Sequence, residues 1–256
     1  MRPAEPLPGS VQPAASDLAI RIVHDNCPGV AGMKTAWGFS ALVTGLEKVI
    51  LFDTGSDGAL LLENLARLEI DPGRIDIVVL SHLHGDHTGG LAGLLQANPR
   101  VQVCLPASFP ARFKEVVQGY GATLHEIAGP QEICRDVHTT GVLGRRLKEQ
   151  ALAIRTPRGL VVLTGCAHPG ITRILQTVRR LHPEDLFLVL GGFHLEWVTT
   201  WKIAAILRVF RSHGVRYVAP THCSSDKARR LFQQDYGPAC LDIGVGKTIA
   251  LADLTT

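Results

Sequence analysis

Four short apolar runs constrain this chain most: IDIVVLSH (75–82), GLVVLTGCAH (159–168), DLFLVLGGFH (185–194) and VRYVAPTHC (215–223). Runs of this kind, apolar at consecutive positions, are strands covered on both faces, because an alternating strand would leave one face to water. The segments between them carry apolar residues at helical spacing, as in Leu60, Leu61, Leu65 and Leu68 of GSDGALLLENLARLEID, with Asp57 placed to cap the start. ITRILQTVRRLHP, TTWKIAAILRVFRSHG and SSDKARRLFQQDYG read as further helices, and GGLAGLLQAN and SFPARFKEVVQGYG, entered through Pro110, as shorter ones. LAIRIVH, GFSALVTG, KVILFDTG and VQVCLP add strands bounded by Gly, Pro, Asp or Asn. Residues 122–158 read as irregular strands, and LDIGVGKTIAL as one closing strand or hairpin. Strands and helices in this order predict an α/β chain in which two sheets are flanked by helices, a layered sandwich.

Composition narrows the alternatives. With 46% hydrophobic and 19% charged residues, the chain has the material for a buried core and is not disordered throughout. Residues 1–17, with Pro3, Pro6, Pro8 and Pro13, are expected to form a flexible Pro/Ala-rich leader, and 18–256 a single domain. No apolar run approaches the roughly 20 residues that span a bilayer, and the first residues lack the apolar core of a signal peptide. A net charge of +3, spread along the chain, gives no footprint for nucleic acid. Six cysteines without a C-x-x-C pair do not make a disulfide framework, so a reduced, cytoplasmic setting is expected. GVGKT near the C-terminus is no phosphate loop, because Leu241 stands where its first Gly must fall and a strand-like TIAL follows.

The chemistry concentrates where the apolar runs end. SHLHGDHTGG places His82 and His84 two apart in a loop, where both imidazoles can turn to one point, and Asp86 and His87 can face a second. Imidazole nitrogen and carboxylate oxygen are ligands for zinc, iron and manganese, and packing has no use for four such side chains within six positions. Later runs each deliver another histidine: His168, His194 and His222. His168 and His222 are expected ligands. Cys166 is either a bridging thiolate or a small buried hydrophobe, and Cys27, Cys104, Cys134, Cys223 and Cys240 read as packing.

The order DTG (53–55), SHLHGDHTGG, a late His after a strand and a final PTH resembles the metallo-β-lactamase superfamily. That resemblance implies a four-layer αββα sandwich with a one- or two-metal site at the edge of its facing sheets. It implies one metal on His82, His84 and His168, and a second on Asp86, His87 and His222. Many members carry a bridging Asp where this chain has TGC, which puts Cys166 in that place. Asp53 resembles the family's Asp that orients a ligand histidine; a turn-capping role before Gly55 is the alternative. LFDTGSDGALLLENLARLEID, LTGCAHPGI, GGFHL and APTHC resemble a subgroup named dihydropterin–ribofuranosylaminobenzene phosphate synthases. Most of that subgroup has SHGHYDH, against Leu83 and Gly85 here.

The expected function is metal-dependent hydrolysis of a small anionic, phosphorylated substrate, with two divalent metals, zinc or else iron or manganese. Asp86 would act both as ligand and as orienter of the attacking water. His194 would contact substrate or leaving group as an acid, and Ser224 or Ser225 with Lys227 would attract an anion at a helix start. Trp197 and Trp201 are candidates for a pocket rim. The alternatives are dihydropterin-methyl transfer with release of diphosphate, and a non-catalytic metal- or ligand-binding effector. No nucleic acid or membrane partner is expected, and an oligomer stays open.

Overall fold

The computed structural model describes residues 17–255. Apart from Asp17, the expected leader lies outside the described residues. The first half builds a seven-stranded sheet from β1 (Ala19–Asp25), β2 (Phe39–Thr44), β3 (Ile50–Phe52), β4 (Ile77–Val79), β5 (Gln102–Pro106) and β6 (Thr123–Ile127). Its seventh strand, β13 (Thr248–Ala250), returns from the C-terminus to pair antiparallel with β1. The second sheet has six strands: β7 (Gln131–Cys134), β8 (Val137–Thr139), β9 (Leu152–Thr156), β10 (Gly159–Thr164), β11 (Leu186–Gly192) and β12 (Tyr217–Thr221).

Side-chain alternation decides how the sheets pack. Along β10, Val161 and Leu163 point into a core shared with Ile50, Phe52, Ile77 and Val79 of the other sheet. Leu160 and Val162 point the opposite way, against Ile174, Leu175, Phe210 and Phe232 of the helices α5 (Ile171–Leu181), α6 (Thr200–Ser212) and α7 (Asp226–Tyr236). In the first sheet Leu51 and Val78 likewise turn outward onto Leu61, Leu65, Leu91 and Leu94 of α1 (Gly58–Arg67) and α3 (Leu91–Ala97). A two-residue period places each face of a strand in a different core. The result is helices, sheet, sheet, helices: the four-layer sandwich expected.

β3, β4 and β5 run parallel, as do β10, β11 and β12. Parallel strands end together, and loops leaving their C-terminal ends face one crevice. Those ends are the runs that carry His82, His168, His194 and His222. The closing segment is shorter than expected. Only Thr248–Ala250 forms a strand; residues 244–247 make a turn, with Lys247 N–H donating to Gly244 O, whose place against Pro28 leaves no room for a side chain.

Candidate metal centre

β4 is followed by a short turn and a one-turn helix, α2 (Gly85–Thr88), so His82, His84, Asp86 and His87 project from successive bends of one loop. The loop after β10 supplies Cys166 and His168, and β12 ends directly before His222. Among the described residues, ligand-type atoms gather in three groups, each with its atoms within 4.8 Å of one another: His82, His84, His168; Asp86, His87, Cys166, His222; and Cys166, His194, Cys223. The first group brings His82, His84 and His168 together, and the second brings Cys166 beside Asp86, His87 and His222.

Hydrogen bonds set which nitrogen of each histidine faces inward. His87 donates from Nδ1 to Asp53 Oδ2 at 2.7 Å, and His222 from Nδ1 to Asn26 Oδ1 at 2.8 Å. Ser81 spends its hydroxyl proton on Asp53 Oδ2 (2.7 Å), so its oxygen accepts from His82 Nδ1 (2.8 Å). Asp53 therefore orients His87 directly and His82 through Ser81. With Nδ1–H engaged, each ring turns an Nε2 lone pair toward the cleft. His82 Nε2 and His168 Nε2 are buried with no hydrogen-bond partner, a costly condition unless another atom binds them.

The second group passes the same test on distances. His87 Nε2 lies 3.3 Å from His222 Nε2, and Asp86 Oδ2 lies 3.4 Å from His222 Nε2 and 3.6 Å from His87 Nε2. Ligand atoms about 2.0–2.1 Å from a tetrahedral ion sit about 3.3–3.4 Å apart, so these edges fit a divalent metal. Cys166 Sγ approaches His87 Nε2 at 3.2 Å. The donor set, imidazole with one carboxylate and one thiol, suits zinc, iron or manganese.

Local electrostatics follow from this crowding. Burial, reinforced by the neighbouring histidines, holds His82 far below the usual imidazole range and brings His168 down to about 3. Burial opposes ionisation of Asp86 and protonation of His87, but the partners win. His222 and His87 hold the Asp86 carboxyl well below the usual range, and Asp53 with Asp86 and Glu149 raises His87.

Sequence reasoning missed three contributors. Glu149, buried, accepts the N–H groups of Cys166 (3.0 Å), Ala167 (2.7 Å) and His168 (2.7 Å), which moulds the loop carrying two candidate ligands. Burial raises its carboxyl to about 7 against those three donors. Asn26 fixes His222, and Cys223, read as packing, faces Cys166 and His194. Only the polar Glu149–Gln150 pair before an apolar strand could have hinted at any of them. The helix-start expectation needs correction. Ser224 is buried and its Oγ accepts the N–H of Phe193 at 3.1 Å, so it cannot meet a substrate. Ser225 caps α7 instead, and Lys227 is absent from the lining of the cleft.

That cleft, about 360 Å³, is lined by Trp37, His84, Asp86, Cys166, His168, His194, Glu196, Trp197, Val198, His222 and Cys223. Trp37 packs over His222 with ring centroids 5.0 Å apart, and His194 lies 4.3 Å from His168 in the same measure. Trp197 is 91% exposed at the rim, while Trp201 does not reach it. Five non-glycine residues around the site hold positive φ: Asp53, Ala167, His194, His222 and Ser225.

Residues 38–178 match the family model described as the Metallo-beta-lactamase superfamily. The chain belongs to that superfamily. Members typically bind divalent metals, and the clusters above could hold them. Among similar superfamily proteins is Tm1679, "a metal-dependent hydrolase of the beta-lactamase superfamily". Its crystal structure superposes with a TM-score of 0.77 at 28% identity, covering 92% of this chain and 100% of that one. A curated relative from Methanocaldococcus jannaschii, named 7,8-dihydropterin-6-methyl-4-(beta-D-ribofuranosyl)-aminobenzene-5'-phosphate synthase, is 28% identical, covering 80% of this chain and 85% of its own. An uncharacterized protein of the same organism is 30% identical over 75% of this chain and 85% of its own.

Proposed function

We propose that this metallo-β-lactamase-fold protein is a metal-dependent hydrolase of a small anionic, phosphorylated substrate. One observation carries the reading: two donor groups, three imidazoles in one and two imidazoles with Asp86 in the other, open on a single cleft. Divalent ions bound there supply Lewis acidity and acidify water. Asp86, partly buried, keeps a charged carboxylate toward the cleft and orients the attacking water. His194, on the opposite wall and exposed, is placed to give a proton to the leaving group. Trp37 and Trp197 stand at the mouth. No Lys or Arg lines the cleft among the described residues, so an anionic substrate would rely on bound cations rather than on guanidinium or ammonium contacts.

A second reading, transfer of a dihydropterin-methyl group with release of diphosphate, is favoured by the similarity to the synthase named above. It needs the same anion-binding centre but an amine or arene as acceptor in place of water. Among the described residues no helix is long and apolar enough to cross a membrane. Metal-loaded protein assayed with nitrophenyl phosphate mono- and diesters separates the readings. Turnover that disappears with chelator, and in Asp86→Asn, supports hydrolysis. Loaded protein that cleaves no ester, but releases diphosphate from a pterin-methyl diphosphate only when an arylamine is present, establishes the transferase instead.

A further inference from the structure

Of the third donor group, Cys166, His194 and Cys223, the hydrolase reading uses His194 alone and leaves both thiols without a task. Cys223 belongs to no ligand pattern of the first two groups, yet its Sγ faces the same cleft. Gly192 makes the room for it: a Cβ there would lie 2.7 Å from Cys223 Sγ. The peptide leaving β11 is fastened by three backbone N–H donors, two to the segment after β12 and one to the loop after β10. Phe193 N–H donates to Ser224 Oγ (3.1 Å), Leu195 N–H to Cys223 O (3.0 Å), and Gly192 N–H to Gly165 O (3.1 Å). Between these anchors His194 is held at φ 53°, a conformation costly for a non-glycine residue, with its ring beside both sulfurs. Buried single thiols are ordinarily small hydrophobes. Two that share a cleft wall with the His194 imidazole are a different chemistry.

We infer that Cys166, His194 and Cys223 form a further metal position, for a soft divalent ion such as zinc, with Cys166 as the thiolate shared with Asp86, His87 and His222. A tetrahedral ion needs sulfur and nitrogen donors about 3.5–3.8 Å apart, within the 4.8 Å limit of this group. Two thiolates and an imidazole select zinc-like ions over magnesium or calcium. Binding releases the two thiol protons to solvent. The fourth coordination direction opens on the cleft. This position goes beyond the hydrolase reading and is tested by binding alone; an ion held here occupies the imidazole that the reading uses as proton donor.

Cobalt(II) titration of the metal-free full chain tests it, read by the thiolate-to-cobalt charge-transfer band and by bound cobalt per chain. Wild type is expected to develop a band of two-thiolate intensity. Cys223→Ala should lose about half of that band and one cobalt per chain, while His194→Ala should weaken the same step by at least tenfold. An unchanged band and stoichiometry in Cys223→Ala would overturn the assignment. Should that variant fail to fold, alkylation of wild type by iodoacetamide, mapped by peptide mass, decides: cobalt is expected to slow modification of Cys223 at least tenfold, and equal rates overturn it. Loss of esterase activity with an intact two-thiolate band would count against the hydrolase reading alone.

Discussion

Asp53→Asn keeps the size and shape of the side chain while it removes the charge and turns one acceptor into a donor. In the wild-type protein Oδ1 accepts the Ser81 N–H at 2.7 Å, while Oδ2 accepts both the Ser81 hydroxyl and His87 Nδ1–H at 2.7 Å. An asparagine must place an amide NH2 at one of these positions. The Ser81 backbone N–H can only donate, so the amide oxygen stays at Oδ1 and the NH2 falls where Oδ2 was. His87 Nδ1 then has to accept, which moves its proton to Nε2, the atom that faces Asp86, Cys166 and His222. The Ser81 hydroxyl, now receiving from the amide, turns its proton to His82 Nδ1, and His82 is protonated at Nε2 as well. One isosteric change thus masks one lone pair in each of the first two donor groups. Losing an orienting carboxylate of this kind costs 10–100-fold in metal affinity, about 1.4–2.7 kcal/mol per ion. The assay is competition for zinc against a chromogenic chelator at pH 7.5, with far-ultraviolet circular dichroism to verify the fold. Both ion affinities are expected to fall by at least tenfold. Unchanged affinity at both positions in a folded variant would refute the tautomer relay.

Three further outcomes follow from the same geometry. Glu149→Gln turns an amide NH2 toward one of three buried N–H donors, leaving it unsatisfied at about 1–3 kcal/mol; a lower urea midpoint together with weaker zinc binding is expected. His138 and His182, buried as a T-shaped pair 4.9 Å apart, are kept neutral chiefly by burial, His182 at about 4 against an unfolded value near 6.5. The unfolded chain then binds more protons between those values, so stability is fully present above about pH 6.5 and declines as pH falls toward 4. Urea midpoints at pH 7.5 and 5 should differ accordingly, and His182→Gln should reduce the difference. Gly192→Ala would drive a methyl into Gly165 O and Cys223 Sγ; a destabilisation of about 1–3 kcal/mol, read by thermal unfolding, is expected from such overpacking.

Much of this molecule was legible because its signals are local. The apolar runs at 75–80, 159–164 and 185–190 mark central strands wherever they occur, and the histidine after each run lands at a strand end by chain continuity alone. His82, His84, Asp86 and His87 share one loop, so their gathering needed no tertiary knowledge. What stayed hidden was relational. Glu149 meets 166–168 only because β9 lies beside β10, and Asn26 meets His222 across 196 positions of sequence. Cys223 looked like packing because nothing nearby in the sequence places it opposite Cys166. Ser224 misled for the converse reason: a serine before a helix reads as a cap, whereas here its neighbour caps and its own hydroxyl is consumed by Phe193.

The left-handed backbone around the cleft has a consequence for how this protein can change. Left-handed geometry costs roughly 1–2 kcal/mol for a residue with a Cβ. Among the described residues seven non-glycines adopt it, and Asp53, Ala167, His194, His222 and Ser225 are five of them. The tension of the molecule is therefore concentrated where its chemistry is, and the surrounding cores oppose it. Relaxing mutations, glycine at 167 foremost, would make the chain easier to fold while slackening the loop that aims Cys166 and His168. Selection for a sturdier protein and selection for a sharper site pull such positions in opposite directions.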